Sequence, residues 1–124
     1  MQLLLVGLGG FAGAVLRWSV DGWISERNPT AFPFGTLFIN LTGSFVLGFL
    51  FAWVIERNVL PPEVRLPLMV GFLGAYTTFS TFMLESWRLV EEGAYALAAA
   101  NLVGSVGLGL VAVVLGLAVG RLVP

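Results

Sequence analysis

Residues 66–84 read Leu66-Pro67-Leu68-Met69-Val70-Gly71-Phe72-Leu73-Gly74-Ala75-Tyr76-Thr77-Thr78-Phe79-Ser80-Thr81-Phe82-Met83-Leu84. The run carries no charge and has the length of a bilayer crossing, which takes about 20 mostly apolar residues as helix. Its centre is nevertheless polar. Gly71 and Gly74 precede Thr77, Thr78, Ser80 and Thr81, and Tyr76 adds a further hydroxyl. Glycine loosens a helix, and Ser and Thr hydroxyls compete for its carbonyls. The stretch therefore reads as a membrane helix broken near the midplane. A break frees carbonyl oxygens, which suit a hard cation such as Na⁺. It also frees N–H groups at the start of the resumed half-helix, which suit an anion.

Three other neutral runs flank this one: Met1–Leu16, Asn28–Ile55 and Gly93–Gly120. The expected architecture is an all-α membrane protein, one domain over 1–124, with four transmembrane helices near 1–20, 33–55, 66–90 and 94–121. The first run is short, but Trp18 and Trp23 bracket its end as an aromatic belt does, and Arg17 has the length to snorkel outward. No basic segment precedes it, so it reads as a retained helix rather than a cleaved leader. Asp21–Pro33 is expected to be the first connection, with Pro33 able to open the second helix. Pro61-Pro62 ends the second connection, and Glu91-Glu92-Gly93 forms the third.

Composition agrees. Apolar residues make up 58% of the chain and charged residues 10%, against roughly 25% charged in a soluble domain; the mean hydropathy is +0.96. Cysteine, histidine and lysine are absent. That removes disulfides, thiolate or imidazole metal sites and Schiff-base chemistry, and no enzymatic constellation is expected. A net charge of −1 offers no basic face for nucleic acid. Arg17, Arg27 and Arg88 fall on one side of the membrane and Arg57, Arg65 and Arg121 on the other. Such a balance gives the positive-inside rule nothing to act on. Insertion in both directions follows as an expectation, and two opposed copies would make an inverted pair.

Sixteen glycines sit mostly within the spans. Gly9/Gly13 and Gly116/Gly120, with Ser44/Gly48, Gly71/Ala75 and Ser105/Gly109, have the spacing that brings lipid-embedded helices close. Gly7-Leu8-Gly9-Gly10-Phe11-Ala12 after Leu3–Val6 also matches a dinucleotide-binding turn. That motif needs a strand before it and a second parallel strand after. Here Arg17, two tryptophans and another membrane-length run follow, so the match is read as a decoy.

Polar groups in hydrocarbon mark function or interhelical hydrogen bonding. Thr36, Asn40 and Ser44 recur every fourth residue on one stripe of the second span, and Asn101 and Ser105 repeat the spacing in the fourth. Phe79 and Phe82 stand three apart beside Ser80 and Thr81. A phenyl ring has a positive edge that contacts an anion without gripping it. Aromatic edges alternating with Asn, Ser and Thr donors suit a small anion that accepts hydrogen bonds well. The neutral runs hold no carboxylate of the kind a proton-coupled exporter of cations uses. Glu85 comes nearest, and Arg88 at i+3 points to a helix-end ion pair.

The sequence resembles the small dual-topology fluoride channels called Fluc or CrcB proteins. The likeness rests on Gly9–Trp18, on Gly35-Thr36-Leu37-Phe38-Ile39-Asn40-Leu41-Thr42-Gly43-Ser44-Phe45, on Gly71–Phe82 with its Thr-Thr-Phe-Ser-Thr-Phe core, and on Asn101–Ser105. Ala75-Tyr76 departs from the second glycine and aromatic more usual there. The resemblance implies an antiparallel, dual-topology homodimer in lipid, with two pores and passive export of fluoride across the cell (inner) membrane. By the same resemblance, Phe79 and Phe82 line the pore, Asn40 is the amide donor facing them, and Thr36, Ser80, Thr81, Asn101 and Ser105 belong to the polar route. Backbone carbonyls of Gly74 and Thr77 would hold a structural Na⁺ at the dimer interface, and Arg17 would face an aqueous vestibule. Two rival readings are a small dual-topology, proton-coupled exporter of cationic compounds and a non-transporting scaffold subunit.

Overall fold

The computed structural model describes residues 1–124 and is all helical. Helix α1 spans Gln2–Arg27. Helix α2, Phe34–Leu50, runs on through a π-helical turn at Phe51–Glu56. The third segment starts as α3, Pro62–Leu66, widens to a π-helix over Pro67–Leu73, and tightens again as α4, Gly74–Tyr76. Helix α5, Ser80–Glu91, follows, and α6 covers Tyr95–Leu122. Four stretches, Gln2–Arg27, Phe34–Glu56, Pro62–Glu91 and Tyr95–Leu122, are long and apolar enough to cross a membrane.

Helix α1 passes the expected boundary near residue 20 and takes in Asp21 and Glu26. Nothing before Asn28-Pro29 breaks it, and the Arg27 Nη1 donates to the Trp23 carbonyl at 3.0 Å while its guanidinium lies 4.3 Å from the Trp23 ring centre. The connection thus shrinks to Asn28–Pro33. Asn28 shapes it, donating through Nδ2 to the Phe32 carbonyl at 2.7 Å and accepting from Thr30 N–H at 3.0 Å. Pro67 has no N–H to return to the preceding turn, and the helix widens from that residue onward. After α5, Gly93 adopts φ +75°, with Gly93 N–H on the Val90 carbonyl and Ala94 N–H on the Leu89 carbonyl. This pairing ends a helix with glycine in the left-handed region.

Glycines set the packing. A Cβ on Gly9 or Gly13 would strike the carbonyls of Pro67 and Phe72, and one on Gly71 would strike that of Val6. Helix α1 therefore lies backbone to backbone along the π-helical turn. Gly116 and Gly120 are pressed against the Phe45 and Phe49 carbonyls in the same way, and Gly48 against that of Val113, so α2 and α6 pack as closely. The Ser105/Gly109 pair does not serve this purpose within the chain, because Gly109 faces open space. Helix α1 is helical from Gln2, which leaves no strand for a dinucleotide turn.

The interior is small: Leu50, Val54 and Leu73 form its cluster, with Phe49, Trp53 and Phe72 against it. Large apolar residues such as Phe11, Val103 and Leu110 point outward. An outer surface of that kind is solvated by acyl chains rather than water. At one end Arg121 pairs with Glu56 at 2.7 Å, and Arg57 donates to the carbonyls of Arg121 and Val123.

Candidate functional site

Tyr76 closes α4. Thr77 is extended, at φ −80° and ψ 158°, and Ser80 opens α5. In a continuous α-helix the Thr78 N–H would bond the Gly74 carbonyl and the Thr81 N–H that of Thr77. Instead Thr78 N–H donates to Asn40 Oδ1 at 2.9 Å, and Thr81 N–H to Thr78 Oγ1 at 3.4 Å. Asn40 Nδ2 donates in return to the Thr78 carbonyl at 2.9 Å. Two further side chains tie the segment down. Arg17 Nε donates to the Ala75 carbonyl at 3.0 Å, and the Tyr76 and Thr42 hydroxyls lie 2.9 Å apart. Gly43 makes room, since a Cβ there would strike the Thr77 methyl.

A groove of about 460 Å³ opens beside this segment, lined by Asn40, Ser44, Gly74, Thr77, Thr78, Phe79 and Phe82 among others. Phe79, which precedes α5, is 72% exposed, and Phe82, within α5, only 6%. Their rings still meet edge to face, 6.2 Å apart at 70°. Asn40 uses one of its two amide hydrogens on Thr78; carboxamide nitrogen carries two. The groove thus gathers aromatic edges, hydroxyls and an amide with no basic side chain among its lining residues.

The other expected residues fall into two neighbouring networks. Buried Thr36 donates to Glu85 Oε1 at 2.9 Å. The Glu85–Arg88 ion pair expected from the sequence is absent, since Glu85 turns toward α2 and the chain's one ion pair joins Arg121 to Glu56. Glu85 Oε2 is sheltered without a hydrogen-bond partner. Asp21, Glu85, Arg88 and Glu92 edge a polar cleft of about 290 Å³. Elsewhere Asn101, 1% exposed, donates to Ser86 Oγ at 2.9 Å, and Ser86 donates to the Phe82 carbonyl at 2.7 Å. Ser105 joins through Asn101 Oδ1 at 3.2 Å. Thr81 accepts from Thr78 Oγ1 at 3.1 Å, while Ser80 is exposed. Ser86 and Thr42 had no signal in the sequence, because neither sits on the four-residue stripes that drew attention to Asn40 and Asn101.

No group of three or more His, Cys, Asp or Glu side chains is placed to hold a metal ion. A cation at this site would depend on backbone oxygen, and the Gly74 and Thr77 carbonyls, deprived of their α-helical donors, have the chemistry that Na⁺ prefers.

Residues 4–117 match the family model described as CrcB-like protein, Camphor Resistance. The chain belongs to the CrcB family. It is 48% identical over 120 residues to a Rhizobium meliloti protein, covering 97% of this chain and 96% of the relative. A Hahella chejuensis protein is 47% identical over 98% of this chain and 96% of its own length. One from Magnetococcus marinus is 45% identical over 99% and 100%. All three relatives bear the name fluoride-specific ion channel FluC. With four membrane-length helices, this CrcB chain is a multi-pass integral membrane protein.

Proposed function

We propose that the chain is a passive, fluoride-selective ion channel, not an enzyme, and that it exports fluoride across the cell's inner membrane. The geometric observation carrying this reading is the convergence of Asn40, Thr78, Phe79 and Phe82 on one groove. The name borne by relatives that match nearly the full chain, fluoride-specific ion channel, agrees with it. Fluoride is small and tightly hydrated, so entering lipid requires several close replacements for its water shell. A free Asn40 amide hydrogen, the Ser and Thr hydroxyls and two ring edges supply them. A narrow, donor-lined route favours fluoride over larger halides that accept hydrogen bonds less well.

The working unit in this proposal is an antiparallel homodimer of dual topology with two pores. The third helix is broken near the midplane at 77–79, and a structural Na⁺ sits between the copies on the Gly74 and Thr77 carbonyls. The extended Thr77 and the redirected Thr78 and Thr81 amides support it. So does the openness of the groove in a single chain, where Phe79 has no cover. Thr36, Ser80, Thr81, Asn101 and Ser105 continue the polar route. Purified protein in liposomes should release fluoride, read by a fluoride electrode, and not chloride. Replacing sodium by a large organic cation should lower that flux. No fluoride release from sealed, protein-containing vesicles would defeat the proposal.

One observation favours the rival exporter: the sheltered, unpartnered Glu85 Oε2 is the kind of carboxylate that alternates between a proton and a cation. The same vesicles tested for proton-driven uptake of a tetraalkylammonium ion separate the two readings.

A further inference from the structure

We infer that Arg17 is a positioning residue, whose hydrogen bond to the Ala75 carbonyl holds the link between α4 and α5 in its course. The inference rests on the channel reading for its functional meaning, while its structural content is independent of that reading.

Helix α1 presents Gly9, Gly13 and Arg17 at four-residue intervals, which puts them on one face. Their contacts climb the third segment in step: Gly9 meets Pro67, Gly13 meets Phe72, and Arg17 meets Ala75. The two glycines bring the backbones together, and the guanidinium then reaches a carbonyl that a more distant helix would leave beyond range. Arg17 is half-buried and forms no ion pair, for the single ion pair of the chain lies at Glu56–Arg121. A guanidinium drawn into a membrane protein without a counter-charge is retained at a cost unless its donors are used. Here one of its donors, the Nε–H, is spent on main chain.

Ala75 sits between the two residues whose carbonyls are candidate cation ligands. The carbonyls around the link are shared out by side chains from other helices: Ala75 to Arg17 and Thr78 to Asn40. Gly74 and Thr77 lack their own α-helical donors, because the Thr78 and Thr81 N–H groups are engaged by Asn40 and by Thr78 Oγ1. Arg17 and Asn40 thus grip the link from α1 and from α2. This role differs from attracting anions to a vestibule, which depends on charge and tolerates lysine. A hydrogen bond from Nε depends on the guanidinium, and lysine does not reproduce its geometry.

The test is Arg17→Lys, with Arg17→Gln as a second variant should the first fold poorly. Both are placed as full-length protein in lipid nanodiscs and liposomes. Amide hydrogen exchange across residues 75–79 should rise about tenfold, the scale of losing one charge-assisted hydrogen bond. Exchange in α6 should stay as in the unmodified chain, which shows that the fold is retained. The sodium concentration giving half-maximal fluoride efflux should rise about tenfold in parallel. Unchanged exchange and sodium dependence in Arg17→Lys would overturn the inference. Loosened exchange at 75–79, in a preparation whose unmodified chain passes no fluoride, would uphold the anchor and defeat the channel reading instead.

Discussion

Asn40 on α2 holds Thr78 by both ends of its carboxamide, donating to the carbonyl and accepting from the N–H at 2.9 Å each. This reciprocal pairing gives the main chain beyond α4 the partners that a continuous helix would have given it. It also fixes the plane of the amide, so the remaining hydrogen of Nδ2 has one direction rather than many.

Asn40→Asp preserves the acceptor for Thr78 N–H but sets a carboxylate oxygen against the Thr78 carbonyl. It also places a negative charge beside the groove. Losing a part-buried donor of this kind costs about 1–3 kcal/mol, and an anion route additionally meets repulsion. Fluoride efflux from liposomes should fall at least about a hundredfold. Efflux equal to that of the unmodified chain would remove Asn40 from the route.

The two rings allow bulk to be separated from quadrupole. Phe79→Ile exchanges a largely exposed ring and should alter stability by no more than about 0.5 kcal/mol. A drop in efflux of about tenfold therefore reports the ring edge itself, worth about 0.5–1.5 kcal/mol in its contacts. Phe82→Ile changes a buried ring, so its flux is to be normalised to folded protein measured by size-exclusion recovery. If neither variant slows fluoride, aromatic edges play no part.

Helix contact through glycine makes a separate stability prediction. Gly13→Ala drives a Cβ into the Phe72 carbonyl and should destabilise the chain by about 1–3 kcal/mol, the usual cost of overpacking. Gly22→Ala on the same helix meets nothing within 4 Å, and should be neutral or stabilising by up to about 1 kcal/mol. Thermal unfolding in detergent compares the two; equal melting temperatures would contradict the close α1 contact.

Orientation is testable without any flux. Reporter proteins fused after Pro124 should give signal on both sides of the membrane. Arg57→Gln with Arg65→Gln should shift the ratio strongly toward one side, by removing two of the three arginines at that end. A single orientation in the unmodified chain would exclude the opposed dimer.

Much of this protein was legible in its residues. The spans were set by where charges interrupt apolar runs, because a charge in hydrocarbon is costly wherever the chain folds. The polar stripe of Thr36, Asn40 and Ser44 was readable because helical periodicity alone puts every fourth residue on one face. The end of the first helix is not legible in this way: Asp21 and Glu26 are polar, yet helix α1 continues to Arg27, since backbone hydrogen bonding ignores side-chain polarity until Asn28-Pro29. The partner of Glu85 is likewise not local: Arg88 stands one turn away in sequence, but Thr36 from another helix donates to Glu85.

Sequence by itself determined a lipid-solvated, four-span chain with its polar residues concentrated in the third span, because burial and helical period are local properties of the residues. Only the tertiary structure decided that Asn40 reaches Thr78, that Arg17 takes the Ala75 carbonyl and that Phe79 meets Phe82 edge-on. The first two contacts join residues 38 and 58 positions apart. Their existence depends on how closely the glycine-lined backbones approach, a quantity that belongs to pairs of helices and to no single one of them.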